Sequence, residues 1–190
     1  MDKIETPLAF YYLFDTPFGP VAVLWSVYRG QPKIRRVSLS KSGISAKHGV
    51  KTSLPESISS SCAEIDAVAN NILAFLNGDD IRFHLNIIRL DVCSTFQQKV
   101  LRAEHGIPRG RVSTYQRIAK RLGNSNVARP VGGALANNPF PIIIPCHRAI
   151  HSDGTLGGYQ GGLEMKRALL EMEGVFFNTL GRVLTDKFFY

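Results

Sequence analysis

The sequence contains little cysteine and no long apolar run, and each shortage excludes a class of protein. Its three cysteines, Cys62, Cys93 and Cys146, are an odd number and do not form a disulfide framework. Free thiols of this kind favour a reducing, intracellular setting, which is the cytoplasm or, in a eukaryote, the nucleus. No apolar run approaches the roughly 18 residues that a membrane-spanning helix needs, so we predict no membrane partner. The first five residues also lack the pattern of a signal peptide.

Acidic residues are scarce in one half of the chain. Residues 1–92 carry ten Lys/Arg and nine Asp/Glu, a net charge of +1, whereas residues 93–190 carry thirteen and six, a net charge of +7. Between residues 99 and 148 there are nine basic residues and a single acidic one, Glu104. A basic half beside a neutral half favours a polyanion as the partner of the basic half. An ordinary solvated basic surface would give the same count.

The sequence of the nearly neutral half, residues 1–92, predicts a structural scaffold. Alternating and aromatic-rich segments over 10–14, 21–27 and 34–39, separated by Gly/Pro turns, predict a three-stranded antiparallel meander. Residues 40–61 are rich in Ser, Gly and Lys and predict a loop. Apolar residues at three- and four-residue spacing then predict a helix over 62–76.

Residues 81–87 alternate apolar and polar side chains, which fits a half-buried strand or an extended linker. Nothing in residues 1–92 groups side chains into a chemical site.

The pattern changes to helices after Asp91, which places a domain boundary between 1–92 and 93–190. Capping signals at Ser94 and at 113–116 predict helices that run to about residue 104 and over 115–122. Asn126 is positioned to cap a third helix over 127–136. Two short helices joined by a glycine-containing turn predict a helix-turn-helix, although plain helical packing is the alternative.

The third predicted helix consists largely of residues with small side chains or none. Gly132 and Gly133 fall inside it, at a cost of roughly 1 kcal/mol each relative to alanine, and Ala128 is also small. Such a surface lets another backbone approach closely, either that of a neighbouring helix or that of a nucleic acid. Arg129 is the one long side chain among the small ones.

The chemistry centres on a short segment near residue 146. Three isoleucines at 142–144 run into Pro145, which predicts a buried strand that stops there with Cys146 at its end. A thiol is a nucleophile as its thiolate, and His147 can serve as the base while Arg148 supplies a positive field. The alternative is an inert buried cysteine.

The flanking segments surround this cysteine. Residues 137–145 contain three prolines and two asparagines and predict a tight connection. Five glycines within 152–162 predict a mobile or ligand-approaching loop whose one large side chain is Tyr159. A final helix is predicted over 163–173, and the apolar tail 175–190 is expected to pack on the body of the protein.

The sequence Ile-Pro-Cys-His-Arg at 144–148 resembles the active-site signature of the O6-alkylguanine-DNA alkyltransferases. Asn137-Asn138-Pro139 before it and Gly158-Tyr159 after it belong to the same pattern. The resemblance is dense over residues 93–175 and weak over 1–92. It implies an α/β N-terminal domain (a small antiparallel sheet plus a helix, ribonuclease H-like) followed by a mostly α, winged-helix or helix-turn-helix C-terminal domain.

The resemblance also implies an activity, which is DNA repair by direct damage reversal. The alkyl group of O6-alkylguanine, and of O4-alkylthymine, in double-stranded DNA would pass to Cys146 in one irreversible turnover. No cofactor is needed, and the protein is expected to act as a monomer. The target base would be flipped out of the stack from the minor groove.

Individual roles follow from the same resemblance. Glu173 would orient His147, which would draw the proton from Cys146 through a water. Tyr115 would hydrogen-bond the flipped base, and Asn138 would brace the turn that holds the cysteine. The residues expected to form the substrate pocket are Tyr115, Tyr159, Gln160, Gly161 and Gly158.

Arg129 would enter the base stack in place of the extruded nucleotide. The residues expected to bind DNA are Arg129, Ala128, Gly132, Gly133, Thr114 and Arg148. Gln160 is longer than the small residue that relatives often carry there, which predicts a narrower pocket and weaker reaction with bulky adducts such as benzyl. The N-terminal half lacks a close cysteine pair, so we predict no structural zinc.

Three other functions compete with this interpretation. A lesion-binding protein without chemistry would lack the cysteine that is present at position 146. A winged-helix regulator would explain the charge and the helix-turn-helix but not Pro-Cys-His-Arg. A cysteine hydrolase using Cys146, His147 and Glu173 would not explain the glycine-rich helix or Arg129.

Overall fold

The fold begins with a four-stranded sheet. The computed structural model describes residues 8–41, 43–185 and 188–190. Its first strands are β1 (Phe10–Phe14), β2 (Val21–Tyr28) and β3 (Gln31–Leu39), which pair antiparallel as the predicted meander. A short strand β4 (Ile58–Ser59) adds to β1 in parallel, so the strand order is β3-β2-β1-β4. The sheet is therefore mixed, and the prediction of a purely antiparallel sheet is wrong in this strand.

The segment predicted as a loop over 40–61 contains regular structure, and this prediction is also wrong. Besides β4 it forms helix α1 (Ala46–Ser53), which begins at Ser45, whose hydroxyl accepts a hydrogen bond from the Lys47 amide. Ala46 and Val50 are the buried residues of α1 and pack on the outer face of β2. Two apolar residues one turn apart are too weak a pattern to stand out from a Ser/Lys-rich background.

The predicted helix at 62–76 is confirmed as α2 (Ala63–Leu76), with its apolar stripe buried. Residues 81–87 form no strand in the described structure. They form an extended stretch that enters a short 3-10 turn (Leu85–Ile87), and Ile88 then makes an isolated parallel bridge to Ile34. Of the two alternatives for this segment, the extended linker is the one observed.

The second half is helical, as predicted. Its helices are α3 (Thr95–His105), α4 (Tyr115–Arg121), α5 (Ala128–Ala136) and α6 (Gly162–Met172). Ser94 caps α3 and Thr114 caps α4 through their hydroxyl oxygens. Asn126 does not cap α5. A 3-10 turn (Ser125–Val127), capped by the Asn124 side chain, leads into that helix instead.

The isoleucine run at 142–144 is not a strand, which corrects the prediction. Ile142 has a φ of +72°, and the Ile144 amide bonds back to the Phe140 carbonyl at 2.8 Å, so the chain turns back on itself. All three isoleucines are at most 1% exposed. The apolar run thus marks burial on every side, which a compact turn satisfies as well as a strand does.

A short 3-10 turn (Cys146–Arg148) follows and leads into β6 (Ala149–Ile150). This strand pairs in parallel with β5 (Ser113–Thr114), directly before α4. The cysteine segment is thereby tied to the start of α4, the first of two short helices, α4 and α5, that pack on each other.

The tail packs on the body, as expected. After the hairpin of β7 (Phe176–Phe177) and β8 (Val183–Leu184), Phe189 donates its amide to the Val112 carbonyl at 2.8 Å. The Tyr190 hydroxyl donates to the Ala103 carbonyl in α3 at 2.7 Å.

The main core joins the two halves of the chain. It runs from the inner face of the sheet and α2 through α3 and α4 to the isoleucine turn and Cys146. The Val37 amide in β3 donates to the Pro139 carbonyl at 2.8 Å, which links the sheet to that turn. Across the described ranges, every helix is too short or too polar to cross a bilayer.

Candidate active site

Cys146 lies at the start of its 3-10 turn and is 5% exposed. Its backbone amide donates to the Ile144 carbonyl at 2.8 Å, which fixes the residue against the isoleucine turn. Burial raises the pKa of the Cys146 thiol to about 11, although the Asn138 amide works against this rise. The cysteine is therefore a protonated thiol at neutral pH and needs a base to become a nucleophile.

The turn that carries Cys146 is closed by Asn138, which is fully buried. Its side-chain amide donates to the Ile144 carbonyl at 3.1 Å, and its side-chain oxygen accepts from the Phe140 amide at 2.9 Å. Asn138 thus satisfies backbone groups at both ends of the turn, the position that the sequence analysis expects of a bracing residue.

His147 and Glu173 form a buried pair next to the cysteine. His147 Nε2 lies 2.9 Å from Glu173 Oε1, and neither side chain is more than 2% exposed. His147 Nδ1 is buried and makes no hydrogen bond to any described residue. Burial lowers the pKa of His147, and the opposing effect of Glu173 does not cancel it. A neutral imidazole with one free ring nitrogen can accept a proton.

Glu173 is ionised in spite of its burial. Burial alone would raise its pKa, but the hydrogen bonds and charges of His147 and Arg148 outweigh that effect and lower it to about 2. Arg148 makes both lowered pKa values compatible, because its permanent charge balances the Glu173 carboxylate whether or not His147 is protonated.

Arg148 is not placed to bind DNA, one of the two roles that the sequence predicted for it. It is 7% exposed, and its guanidinium donates to both oxygens of Glu173 at 2.8 and 2.9 Å and to the Ile107 carbonyl at 2.6 Å. A side chain committed in this way is not free to bind DNA, so that prediction is corrected. Thr114 is likewise 3% exposed, and its hydroxyl caps α4, which does not fit a DNA contact.

A small cavity of about 50 Å³ opens at Cys146. The residues that line it come from α4, α5 and the glycine-rich loop: Tyr115, Gly132, Leu135, Ala136, Cys146, Gly158, Tyr159 and Gln160. A larger cavity of about 430 Å³ shares three of them, Tyr115, Gly132 and Gly158, and is also lined by Ala128 and Arg129. The structure thus brings most of the predicted DNA-binding and pocket residues to one groove that ends at the cysteine.

Besides Arg148 and Thr114, two further predicted residues lie outside this groove. Gly133 is on the exposed side of α5, with no atom near the place where a side chain would begin, and it lines neither cavity. Gly161 faces Met165 and the Tyr159 ring, so its lack of a side chain serves packing.

Tyr115 and Tyr159 form the walls of the small cavity. Burial raises the pKa of Tyr115 to about 12, so the phenol remains a hydrogen-bond donor at neutral pH. Gly157, with a φ of +67°, lies against the Tyr115 hydroxyl so closely that a Cβ would overlap it. The Tyr159 ring stands edge-on to His147 at 6.2 Å between ring centres. The Gln160 amide donates to the Asn138 carbonyl at 2.5 Å, which holds the loop against the cysteine turn.

Two buried charged residues went unrecognised in the sequence. Glu104 and Lys166 are both 0% exposed. The Lys166 ammonium donates to the Ala149 carbonyl at 2.7 Å and to the Leu156 carbonyl, which ties the cysteine segment to the glycine-rich loop. Neither carboxylate oxygen of Glu104 has a hydrogen-bond partner among the described residues. The signal for Glu104 was its place on the apolar stripe of α3, one turn from Val100 and Leu101.

The burial of Glu104 predicts a pH-dependent cost to stability. Its pKa is raised from the ordinary 4.5 to about 8, so the folded state holds the proton. The part of the cost that depends on ionisation is therefore absent below about pH 4.5 and grows as the pH rises towards 8. We expect the melting temperature of Glu104→Gln, relative to the parent protein, to be higher at pH 8 than at pH 5. A difference that does not change with pH would contradict this burial cost.

Metal-ligating side chains do not converge within the described ranges, where no group of three or more His, Cys, Asp or Glu side chains could hold an ion. The site is built from a thiol, an imidazole and a carboxylate, those of Cys146, His147 and Glu173. The fold and the site together define a class: proteins with a small mixed sheet, a set of short helices, and a buried cysteine at the end of a groove beside two of those helices.

Comparison with known proteins identifies the family. Residues 95–175 match the family model described as "6-O-methylguanine DNA methyltransferase, DNA binding domain". A methylated-DNA–protein-cysteine methyltransferase of Methanosarcina acetivorans is 31% identical over 165 residues, which are 87% of this chain and 98% of that protein. The chain belongs to the family of methylated-DNA–protein-cysteine methyltransferases.

Identity is higher in a relative that matches a shorter part of the chain. The enzyme of the same name from Methanothermobacter thermautotrophicus is 47% identical over 111 residues, which are 58% of this chain and 62% of that protein, less than two thirds of its length. A crystal structure of Mycobacterium tuberculosis OGT in complex with DNA superimposes with a TM-score of 0.70 at 31% identity. It covers 86% of this chain and 92% of that one.

Proposed function

We propose that this protein repairs DNA by transferring the alkyl group of O6-alkylguanine to Cys146, once per molecule. The observation that carries the proposal is the position of Cys146 at the end of a groove that also contains Arg129, beside the buried pair of His147 and Glu173. A thiol in such a place meets a substrate that comes from the helix-turn-helix side. The relatives that share this region are named for this transfer.

The reaction begins with deprotonation of the thiol. His147 Nδ1, which bonds to no described residue, takes the proton of Cys146 through a water, and Glu173 stabilises the imidazolium that forms. Arg148 keeps the Glu173 carboxylate ionised and oriented throughout. The arrangement is that of a nucleophile, a base and an orienting acid.

The thiolate then attacks the alkyl carbon in line with the bond to O6. The S–C bond forms as the C–O6 bond breaks. The guanine leaves as a neutral base once it has taken up a proton, which balances the proton that His147 removed from the thiol. The Tyr115 phenol donates a hydrogen bond to the departing base and disperses its charge. The product is a thioether, whose S–C bond is stable in water at neutral pH, so each molecule reacts once.

The alkyl carbon of a duplex substrate lies inside the base stack, so the nucleotide must rotate out to reach the cysteine. The small residues of α5 let the minor-groove backbone approach, and exposed Arg129 fills the space left in the stack. The same pocket would accept O4-alkylthymine. One chain supplies every residue of this site, which favours a monomer.

The finer architecture belongs to the same proposal. We assign residues 1–92 to a ribonuclease H-like scaffold domain and 93–190 to the DNA-binding and acceptor domain. Three free cysteines, one of them the acceptor, fit a reducing intracellular compartment.

The direct test is transfer of a labelled methyl group from a duplex oligonucleotide with one O6-methylguanine. We expect the label to move to the protein in a single turnover and to reach one per molecule. Tight binding of the lesion without label transfer would instead indicate a lesion-binding protein. No preference for the lesion would favour a DNA-binding regulator.

Arg129→Ala tests the extrusion step separately from the chemistry. We expect the rate with duplex DNA to fall by ~10-fold or more, since a few kcal/mol of unstacking is no longer offset. The rate with free O6-methylguanine base should stay within about twofold, because that substrate needs no flipping. Arg167→Ala, a change of an exposed arginine on α6 that pairs with Glu171 and lines neither cavity, is the matched control. Equal losses on both substrates would contradict the assigned role.

A further inference from the structure

The single acidic residue in the basic segment 99–148 is also the least expected residue in the core. Glu104 is fully buried on the stripe of α3 that otherwise holds Val100 and Leu101. Neither of its carboxylate oxygens has a hydrogen-bond partner in the described structure. A buried carboxyl without a partner costs stability, and a leucine at this position would not carry that cost.

The surroundings of Glu104 contain the reacting cysteine. Helix α3 packs against the turn that carries Cys146, and α6 contributes Lys166 from another side. Several titratable or charged groups interact with the Glu104 carboxyl, one or two from each element around it: Lys166 from α6, Arg148 and Cys146 from the cysteine turn, Tyr115 from α4 and Tyr190 from the tail.

Two of these charges act on the thiol with opposite sign. The Lys166 ammonium stabilises a thiolate at Cys146, whereas an ionised Glu104 destabilises it. Lys166 is held in place by the Ala149 and Leu156 carbonyls, so it cannot swing away to pair with Glu104. The described structure therefore contains no ion pair between the two groups, and each acts on the thiol with its own charge.

We propose that Glu104 is a positioning residue for the alkyl transfer, whose charge opposes that of Lys166 and so sets how readily the Cys146 thiol ionises. The proposal rests on the proposed function for its biological meaning. Its physical content concerns the thiol alone and can be tested on the thiol alone.

The pH range of the effect follows from the burial of the carboxyl. Burial raises the pKa of Glu104 to about 8, partly offset by Lys166 and Arg148. Below that pH the group is neutral and has no charge with which to oppose the thiolate. Above it the carboxylate is ionised and disfavours the thiolate. Burial also lowers the pKa of Lys166 to about 8, so the stabilising charge is lost over the same range.

The test compares Glu104→Gln with the parent protein by the rate at which iodoacetamide alkylates Cys146. This reagent reacts with the thiolate, so its rate reports ionisation. Peptide mass mapping separates Cys146 from the other two cysteines, and the measurement is repeated between about pH 6 and pH 9. We expect a ratio of variant to parent rates near one at the acid end and ~3–10-fold at the alkaline end, since one unit of thiol pKa is tenfold in thiolate.

Two further variants separate charge from shape. Glu104→Leu removes the charge with an apolar side chain and should give the same pH-dependent ratio. This variant also provides the test if Glu104→Gln does not fold. Glu171→Gln changes an exposed glutamate of α6 that pairs with Arg167 and should give a ratio near one at every pH. If Glu104 had a purely structural role, the alkylation rate of each Glu104 variant would differ from the parent rate by the same factor at every pH.

The outcomes distinguish this proposal from the proposed function. A ratio that stays flat with pH in both Glu104 variants overturns the tuning role, even if methyl transfer from DNA works as proposed. A ratio that rises with pH, in a protein that takes no methyl group from O6-methylguanine, supports the tuning role and overturns the proposed function. Parallel transfer rates with free O6-methylguanine should show the same pH-dependent ratio.

Discussion

Replacing Cys146 with alanine should abolish methyl transfer from O6-methylguanine DNA while the affinity for that DNA stays within about twofold. The acceptor atom is lost, and neither His147 nor Tyr115 is a group that can replace a thiolate in this reaction. The side chain is 5% exposed and lies at the end of the groove, away from the exposed face of α5 that would meet the phosphates. Label transfer and a DNA-binding titration on the same preparation measure the two properties.

The control for this variant is another free cysteine of the same chain. Cys62 precedes α2, is partly exposed, and makes no side-chain hydrogen bond in its capping position. Cys62→Ala should therefore transfer the methyl group at the rate of the parent protein. Transfer that persists in Cys146→Ala, or that disappears in Cys62→Ala, would show that the acceptor has been assigned to the wrong residue.

Glu173→Gln should both destabilise the protein and slow the transfer. The change leaves the Arg148 guanidinium buried without its carboxylate, and breaking a buried pair in this way costs about 3–5 kcal/mol. It also removes the charge that stabilises protonated His147, so we expect a rate lower by ~10²-fold or more. Thermal melting and single-turnover transfer measure the two effects, and Glu171→Gln, which alters a surface pair, should change neither.

A double variant separates the two effects of Glu173. Replacing the pair together, as Glu173→Gln with Arg148→Met, removes the unpaired charge and should recover much of the lost melting temperature. The transfer rate should stay low, because His147 still lacks its carboxylate. If Glu173→Gln melts like the parent protein, the buried network is not the structural element described above.

Acid should destabilise the parent protein through the same residue. The folded-state pKa of Glu173 lies at about 2, below the ordinary 4.5, so the network contributes its full stability above about pH 4.5. That contribution is lost as the pH falls from 4.5 towards 2. The Glu173→Gln variant should show a weaker loss over this window, because it has no carboxyl to protonate.

The sequence was most informative where a short segment combined several unusual residues. Pro145, Cys146 and His147 predicted a nucleophile and a base on one segment, and the structure places Glu173 against the histidine at 2.9 Å. That third residue could be named only through the resemblance, since a glutamate in the last turn of a helix has no pattern of its own. The distance between residues 147 and 173 depends on how α6 packs, which no local signal encodes.

Arg148 shows how charge misleads when burial is unknown. An arginine in a basic segment predicts a contact with phosphate, yet this one is buried and paired with Glu173. The glutamate and the arginine lie 25 positions apart, so their pairing is a tertiary fact. The same limit hid Lys166 and Glu104, because buried charges look like surface charges until the packing around them is known.

Secondary structure failed where two conformations satisfy one pattern. The isoleucines at 142–144 indicate complete burial, which a strand or a compact turn provides equally well. Asn138 selects the turn, because its side-chain amide forms hydrogen bonds with the backbone of Ile144 and of Phe140, six and two residues further along the chain. Helix α1 was missed for the opposite reason, since a helix that buries Ala46 and Val50 alone leaves too faint a periodicity.

The measurement that tests the central claim most directly is the intact mass of the parent protein after incubation with an oligonucleotide that carries one O6-methylguanine. The account predicts a gain equal to one methylene, located by peptide mapping at Cys146 and saturating at one per molecule. Freshly reduced protein whose mass does not change, although it binds the lesion, would contradict the account. So would a gain located at Cys62 or Cys93.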